Sequence, residues 1–439
     1  MSETAWRKRR LADVLARPDV RAALASVLAA GPLCDHCLGR LVAGADTGLG
    51  NDDRGRAARS ALAAPARQPS RLGRAVPGGD APPTGGQAVA SPAPPATCTL
   101  CGGLFAALQA WAAQTREALR GLEFDTLAVA SHADPAVAAR EQALWLRLGT
   151  RTGSSTPWAG GGLAEPYKQE FNRLLGIRLC THLGCDTDLK DPDVIVVADH
   201  AAGRVEVCLE PLFACGRYRK LVRGMPQCHW RQWPTSIQQI VGDPICREAG
   251  GQDHLFHGCG REDVDVRCLG ERPFVVEVLR PQRRRLDWAA LARQISASGR
   301  VEVLDLARCR RAEVARAKTL RPEKSYRALV RLAAEVDDAR LALLAGLVGP
   351  VAQQTPARVL KRRPDLLRTR RVLSLSWRVA IRLGDLELEV RTQAGLYIKE
   401  LVSGDGGRTR PSVAEVLGVP AECAELDVIA VHVDQARRD

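Results

Sequence analysis

The sequence predicts an α+β protein with two or three domains. At 439 residues the chain is too long for one compact core, and its 46% hydrophobic content can bury a sizeable interior. Helix-like and strand-like segments are mixed along it. Two Cys-x-x-Cys pairs, Cys34 with Cys37 and Cys98 with Cys101, add a metal-binding pattern. We therefore expect mixed α and β layers accompanied by a small metal-bound module.

Basic residues exceed acidic ones. Lys and Arg number 63 against 50 Asp and Glu, which gives a net charge of +13. Such an excess favours a polyanionic partner, most often nucleic acid, although a GC-rich genome that prefers arginine explains the composition equally well. The sequence has no uninterrupted run of eighteen apolar residues, so we predict no transmembrane helix. Residues 1–10 are not followed by a signal-type apolar core. We expect a cytoplasmic protein with no membrane partner.

The first half predicts helices followed by a mixed block. Residues 2–30 carry apolar side chains at helical spacing, and Pro18 divides them into two helices. Residues near 66–97 are rich in Pro, Gly, Ala and Ser, which predicts a flexible insert without a core. Beyond them we predict a helix reaching Leu122, strands at 124–130, 191–199 and 204–210, and a helix at 165–179.

The two cysteine pairs predict a structural zinc site. Cys34, Cys37, Cys98 and Cys101 supply four thiolates, the ligand set of a closed tetrahedral site. Gly39, Gly102 and Gly103 follow the pairs and permit tight turns. The alternative is a set of redox-active or incidental cysteines.

The second half predicts a further α and β block. Residues 264–268 and 274–279 are predicted as two strands joined at Gly270. Residues 386–392 alternate apolar and polar side chains, which indicates a half-buried strand. Helices are expected at 326–347 and 398–402.

The segment from Gly260 to Arg267 contains the candidate nucleophile. Asp263 and Asp265 lie two residues apart, which places them on one face of an extended strand. Arg261 is also two residues from Asp263 and could hold its carboxylate ionised, and only the charged form is a nucleophile. A solvated, charged strand end explains these residues equally well.

This segment, with the Arg-Pro-Phe-Val-Val-Glu-Val run that follows Glu271, resembles the catalytic motif of the Pus-ten family of tRNA pseudouridine synthases of archaea and eukaryotes. Further matches follow in order along the chain, from about Cys34 to Leu426. They comprise both cysteine pairs, Asp191-Pro-Asp-Val, Gly216-Arg-Tyr-Arg-Lys, Lys324-Ser-Tyr-Arg-Ala and Gln393-Ala-Gly-Leu-Tyr-Ile-Lys.

The resemblance implies a role for each site residue. Asp263 would attack the target uridine, Lys399 would pair with its carboxylate, and Arg261 belongs to the same motif. Tyr326 would stack on the target base, Tyr397 would line the pocket, and Leu426 would be its apolar wall. The cysteines correspond to the zinc site, and no organic cofactor is needed because the product is an isomer.

The resemblance also implies how the chain is organised. It predicts a zinc-binding region at 1–110, a THUMP-containing α/β RNA-binding domain at 111–235 and a pseudouridine synthase catalytic domain with a mixed antiparallel sheet at 236–439. The expected activity is conversion of uridine to pseudouridine at positions 54 and 55 of the tRNA T-arm, with no obligate protein partner. Two basic clusters are expected to follow the RNA backbone: Arg358, Lys361, Arg362, Arg363, Arg368, Arg370 and Arg371, and Arg217, Arg219, Lys220 and Arg223.

Two departures from the family pattern affect loops. Met225-Pro-Gln-Cys228 replaces the usual Ile-Pro-Gln-Thr, and Gln354 stands where an arginine usually precedes the threonine. The alternatives are a tRNA-binding or chaperone protein without catalysis and another THUMP-bearing enzyme that modifies tRNA. A methyltransferase should show a Gly-rich loop after a strand, and residues 158–162 follow no convincing strand.

Overall fold

The computed structural model describes residues 9–64, 97–152, 163–379 and 385–433. The chain folds into two compact units, Met1–Cys208 and Leu209–Asp439. The insert predicted near 66–97 lies outside the described residues apart from Thr97, and so do residues 158–162. None of the described helices is long and apolar enough to cross a membrane.

The first unit combines helices with a four-stranded sheet of order β2-β1-β3-β4, in which β1 runs parallel to β2 and β3. The predicted division at Pro18 is confirmed, since this proline is the first residue of α2. The elements are α1 (Leu11–Ala16), α2 (Pro18–Ala29), α3 (Asp35–Gly39), α4 (Asn51–Ala63), α5 (Leu108–Ala118), β1 (Thr126–His132), α6 (Pro135–Thr152), α7 (Tyr167–Leu183), β2 (Asp186–Thr187), β3 (Val194–Asp199) and β4 (Arg204–Leu209).

Gly39 has a different role from the predicted turn. Its φ of −67° is helical, and a Cβ built there would lie 1.7 Å from the backbone oxygen of Asn51. The glycine therefore lets α3 and α4 pack backbone against backbone. Gly102 and Gly103 do adopt positive φ angles, 63° and 92°, as a tight turn requires.

The second unit is built on a ten-stranded mixed sheet. Its order is β13-β10-β11-β12-β9-β14-β7-β5-β8, with β6 also paired to β7. The β14–β7 pair is parallel, and the other neighbouring strands run antiparallel. The elements are β5 (Leu212–Lys220), α8 (Ile237–Ala249), β6 (Asp253–Gly258), β7 (Arg267–Leu279), α9 (Trp288–Ser296), β8 (Val301–Cys309), α10 (Ala312–Thr319), β9 (Glu323–Leu332), α11 (Asp338–Ala342), β10 (Gly349–Gln354), β11 (Leu367–Val379), β12 (Asp385–Thr392), α12 (Ile398–Ser403), β13 (Thr409–Arg410), α13 (Val413–Leu417) and β14 (Ala421–His432).

Two predicted elements of this unit are wrong. The helix expected at 326–347 is strand β9 followed by the short helix α11. The two strands expected around Gly270 are one continuous strand, β7. Position 270 within that strand requires glycine, because a Cβ there would lie 2.7 Å from the backbone of Ala430 on β14.

The division between units falls between Cys208 and Leu209, whereas the sequence placed a boundary at 235/236. Strand β5 pairs with β7 and β8 in the large sheet, so it belongs to the second unit. The predicted α+β fold is confirmed, while the three-part division of the chain stays a prediction.

Candidate active site

The candidate nucleophile lies on a tight loop between β6 and β7. Asp263 and Asp265 precede β7 and do not alternate within a strand as predicted. The carbonyl of Asp263 accepts a hydrogen bond from the amide of Val266 at 3.1 Å. The carbonyl of Val264 accepts two hydrogen bonds from backbone amides, those of Gly224 at 2.9 Å and Met225 at 3.2 Å. The loop backbone is therefore tied both to itself and to the segment after β5.

A buried ion pair supports this loop from below. Glu262 and Arg272 approach to 3.0 Å between Oε2 and Nε, and each side chain is only 1% exposed. Arg272 also donates from Nη1 to the carbonyl of Cys259 at 2.9 Å. The hydroxyl of Tyr218 lies 3.2 Å from both carboxylate oxygens of Glu262 and donates to that carboxylate. Burial, followed by the charge of Glu262, raises the pKa of Tyr218 well above its usual range, so the phenol stays a donor.

Two more side chains complete the support. Gln227 donates from Nε2 to the hydroxyl of Tyr218 at 3.0 Å and to the carbonyl of Gly260 at 2.9 Å. Lys220 is fully buried and donates to the carbonyls of Asp263 at 3.2 Å and Val264 at 2.9 Å. The backbone of the candidate nucleophile is thus held by side chains from beneath, while its carboxylate remains 43% exposed.

Two cations flank the carboxylate of Asp263. Arg358 reaches it with Nη1 at 3.0 Å, and Lys399 lies 3.8 Å away. Lys399 makes closer contacts with Asp265, at 2.6 and 2.9 Å. Burial opposes ionisation of Asp265, but the hydrogen bond and charge of Lys399 outweigh it and lower the pKa of that carboxyl. Arg358 is held in turn by Glu400, whose Oε1 lies 2.7 Å from its Nε.

The structure corrects the expectation for Arg261. This side chain lines the pocket but forms no ion pair with Asp263 in the described part of the chain. Residues two apart share a face only in a regular strand, and this segment is a loop. Arg358, predicted as an RNA-binding residue, occupies the expected position of Arg261 beside the carboxylate.

One pocket brings all six predicted catalytic and substrate-binding residues together. It has a volume of ≈ 1120 Å³, and its lining includes Arg261, Asp263, Tyr326, Tyr397, Lys399 and Leu426. These residues come from the 259–266 loop, β9, β14 and the start of α12.

The two tyrosines of the pocket have different surroundings. Tyr326 lies on β9, where burial raises its pKa to about 12 and keeps the phenol protonated at neutral pH. Tyr397 immediately precedes α12, and its hydroxyl accepts a hydrogen bond from Arg363 at 3.1 Å. Leu426 is buried at 7% exposure.

The two predicted basic clusters differ in surroundings. The first lines the pocket through Arg358, Lys361, Arg362, Arg363, Arg368 and Arg370. The guanidinium of Arg362 lies 4.8 Å from the ring centre of Trp230, which links this loop to the segment that departs from the family pattern.

The second cluster does not form the expected RNA-facing surface. Lys220 is buried, and the three arginines of the cluster form ion pairs. Their partners are Glu271 and Asp305 for Arg217, Glu271 and Glu302 for Arg219, and Glu425 and Asp427 for Arg223.

The four predicted cysteine ligands meet in the first unit. Their sulfurs all lie within 4.8 Å of one another, and those of Cys34 and Cys101 are 3.8 Å apart. Four thiolates at the Zn–S distance of a tetrahedral site are about 3.8 Å from each other. Cys34 caps the start of α3, while Cys98 and Cys101 flank the turn closed by the Gly102 amide. The group can therefore bind a metal ion.

Two family models match most of the described chain. "Pus10, C-terminal" matches residues 213–432, and "Pus10 THUMP domain, archaeal" matches residues 111–199. The curated relatives include "tRNA pseudouridine synthase Pus10" of Methanothrix thermoacetophila, which is 36% identical over 92% of this chain and 93% of its own length. The proteins of that name from Pyrococcus furiosus and Halorubrum lacusprofundi are each 35% identical, over 92% and 94% of this chain and 95% and 96% of their own lengths.

These matches define the class of protein. The match to the Pus10 C-terminal model over the large sheet, the THUMP match over the smaller sheet and the curated relatives identify a tRNA pseudouridine synthase, which is an isomerase. The chain belongs to the Pus10 family, the family that its motifs resemble.

Proposed function

We propose that Asp263 is the nucleophile that this enzyme uses to convert uridine to pseudouridine. The observation that carries the proposal is its exposed carboxylate, flanked by Arg358 and Lys399 in the pocket that also contains Tyr326. Neighbouring cations favour the charged form of a carboxylate, and that form is the nucleophile. Attack on the uridine, cleavage of the N-glycosidic bond, rotation of the uracil and formation of a C–C bond give an isomer, so the electron count balances without a redox cofactor.

The pocket residues divide the remaining work. Tyr326 presents an aromatic ring for stacking on the flipped base, and Leu426 supplies an apolar wall beside it. Lys399 bridges Asp263 and Asp265 and so holds these two carboxylates together. Tyr397 is oriented by Arg363 at the pocket rim. Arg261 lines the pocket without an ion pair to Asp263, so we propose a supporting contact with RNA for it.

The RNA substrate is proposed to be the tRNA T-arm, with positions 54 and 55 as targets. The cationic lining from Lys361 to Arg370 supports binding of the sugar–phosphate backbone around a flipped nucleotide. Flipping costs a few kcal/mol, which phosphate contacts can offset. An enzyme acting on tRNA would work in the cytoplasm, and the chemistry requires no further protein.

We propose zinc as the metal of the four-cysteine group. Four thiolates at this spacing suit a closed structural zinc site. The ion would join the segments before and after the 65–96 region. We retain the proposed zinc-binding region at 1–110 and a THUMP-containing domain from 111, and we propose that the catalytic domain predicted at 236–439 begins earlier, at β5, because this strand belongs to the large sheet.

The test uses the purified full chain and an unmodified tRNA transcript, with pseudouridine mapped by carbodiimide primer extension. We expect product at positions 54 and 55 from the wild type and none from Asp263→Asn, with tRNA binding retained. Asp265→Asn is the matched control, because it removes the neighbouring aspartate carboxylate that Lys399 also contacts on the same loop. Pseudouridine formation by Asp263→Asn at the wild-type rate would refute the assignment of the nucleophile. Product at other uridines would refute the T-arm assignment alone.

A further inference from the structure

Two lysines of the second unit have lowered pKa values because of burial, but their surroundings differ. Lys220 lies beneath the catalytic loop, where two backbone carbonyls at 2.9 and 3.2 Å accept hydrogen bonds from its ammonium. Lys324 lines the pocket on β9. Its ammonium makes only a long contact of 3.4 Å with the carbonyl of Pro322 among the residues that the structure describes.

Two arginines, Arg272 and Arg321, lie near Lys324. Across residues 9–64, 97–152, 163–379 and 385–433, it takes part in no ion pair. Burial first, and then the charge of Arg272, lowers the pKa of Lys324; Cys259 and Cys268 oppose this shift, and Arg321 adds to it. A Cβ built on Gly260 would lie 3.9 Å from Nζ of Lys324 and 3.3 Å from Nη1 of Arg272. The ammonium therefore sits beside the catalytic loop next to a second cation.

The acidic side chains of the pocket lining already have partners. Asp263 pairs with Arg358 and Lys399, and Glu262 with the buried Arg272. A half-buried cation beside another cation is costly unless an anion compensates it. A strongly perturbed group in a cleft is a candidate functional residue. Within the described chain no pocket carboxylate remains to pair with Lys324, so an anionic group of a ligand that enters the pocket would compensate its charge.

Two neighbours extend the same positive surface. Lys318 at the end of α10 and Arg321 in the turn before β9 line the pocket with Lys324. Arg321 donates to the carbonyls of Lys318 and Leu320, and neither cation forms an ion pair in the described chain. This surface comes from a different segment than the basic loop at 358–371, and of its three cations only Lys324 lies within a motif quoted from the sequence.

We propose that Lys324, supported by Lys318 and Arg321, is a phosphate-binding subsite for the RNA phosphodiester beside the target uridine. Lys324 and Tyr326 are two residues apart on one strand, so they share a face and are separated by about 7 Å. A nucleotide whose base reaches Tyr326 would carry its neighbouring phosphate towards Lys324. The inference rests on the proposed function only in placing the target base at Tyr326.

The test measures tRNA binding by the full chain as a function of salt, with transcripts that carry a methylphosphonate on either side of the target uridine. One of these neutral linkages should weaken wild-type binding about tenfold, the usual effect of losing a charge-assisted contact. Lys324→Met should show the same loss with unmodified RNA and no further loss with that methylphosphonate. Its log–log salt slope should fall by about one, and Lys324→Arg should restore binding. Arg331→Met is the matched control, because Arg331 is an exposed cation on the same strand outside the pocket lining.

Several outcomes would overturn the subsite. One is wild-type binding that is insensitive to both neutral linkages, a result that does not depend on any variant folding. Another is Lys324→Met binding with an unchanged salt slope, or with a full further loss on the methylphosphonate RNA. Inorganic phosphate that competes equally with both proteins would also contradict it. Absence of pseudouridine from the wild-type reaction would refute the proposed function instead, since the phosphate test reads binding alone.

Discussion

Replacement of Glu262 by Gln should destabilise the second unit by leaving a charge without its partner. Arg272 stays protonated in proteins, and its side chain is 1% exposed against Glu262. The carbonyl of Cys259, which also accepts a hydrogen bond from Arg272, is neutral and cannot replace the carboxylate. Removing one partner of a buried ion pair costs roughly 3–5 kcal/mol. Glutamine keeps the shape and one acceptor for Tyr218, so we expect a loss of about 3 kcal/mol.

Two further variants separate the effect of the lost charge on stability from the effect of the changed side-chain shape. Arg272→Met alone leaves a buried carboxylate and should cost a similar amount. The double variant Glu262→Gln with Arg272→Met removes both charges, and replacing a whole buried pair by uncharged residues is often close to neutral. The double variant should therefore be more stable than the sum of the single losses predicts, by about 2 kcal/mol or more.

Urea unfolding followed by circular dichroism gives these free energies, and hydrogen exchange over β7 assigns them to the second unit. The single variants should exchange β7 amides faster than the wild type, while α7 of the first unit stays unchanged. Two results would refute this interpretation: losses below about 1 kcal/mol in both single variants, or strictly additive losses in the double variant. Either would show that Glu262 and Arg272 do not depend on each other for charge compensation.

Three further changes test other parts of the molecule. Arg358→Met should lower the single-turnover rate by about tenfold, because a cation 3.0 Å from the Asp263 carboxylate is removed; an unchanged rate would show that this ion pair does not assist the reaction. Cys37→Ser should reduce zinc content and thermal stability together, measured by elemental analysis and calorimetry; full stability without metal would contradict a structural role. Asp427 is buried, which opposes its ionisation, but Arg267 and Arg223 outweigh burial and lower its pKa. Its stabilising contribution is therefore fully present above the unfolded-state pKa of about 3.9 and is lost as pH falls through the lower folded-state pKa. Asp427→Asn should accordingly cost stability at pH 7 and progressively less below pH ~4, and a cost that does not depend on pH would contradict this.

Regular alternation made part of the fold predictable. Strand β12 carries Leu386, Leu388 and Val390 on one face, and the structure buries all three. Strand β9 shows the limit of this reasoning, because its Arg, Ala and Leu residues also favour helix. Pairing with β12 on one side and β14 on the other selects the strand, and those partners begin more than fifty residues later in the chain. Local propensity cannot register such contacts.

The same limit applies to the site. The family motifs identified Asp263 and Lys399, and the structure brings them to 3.8 Å. The closer partner, Arg358, was predicted only as an RNA-binding residue, because it lies on the loop between β10 and β11 and no local pattern pairs it with Asp263. Arg261 was favoured because it is near in sequence, and that reasoning holds only where the backbone is regular.

Different groups around Asp263 fix the position of its backbone and set the electrostatic environment of its carboxylate. Lys220, Gln227 and the Glu262–Arg272 pair act on the loop backbone from its buried side. Arg358 and Lys399 act on the carboxylate from the pocket side. Loss of a pocket-side cation should therefore change the electrostatics of the carboxylate while leaving its location fixed, whereas loss of a buried support should move it. A rigid base beneath an accessible carboxylate suits covalent attack, because the nucleophile must meet a flipped base within a small tolerance while staying open to it.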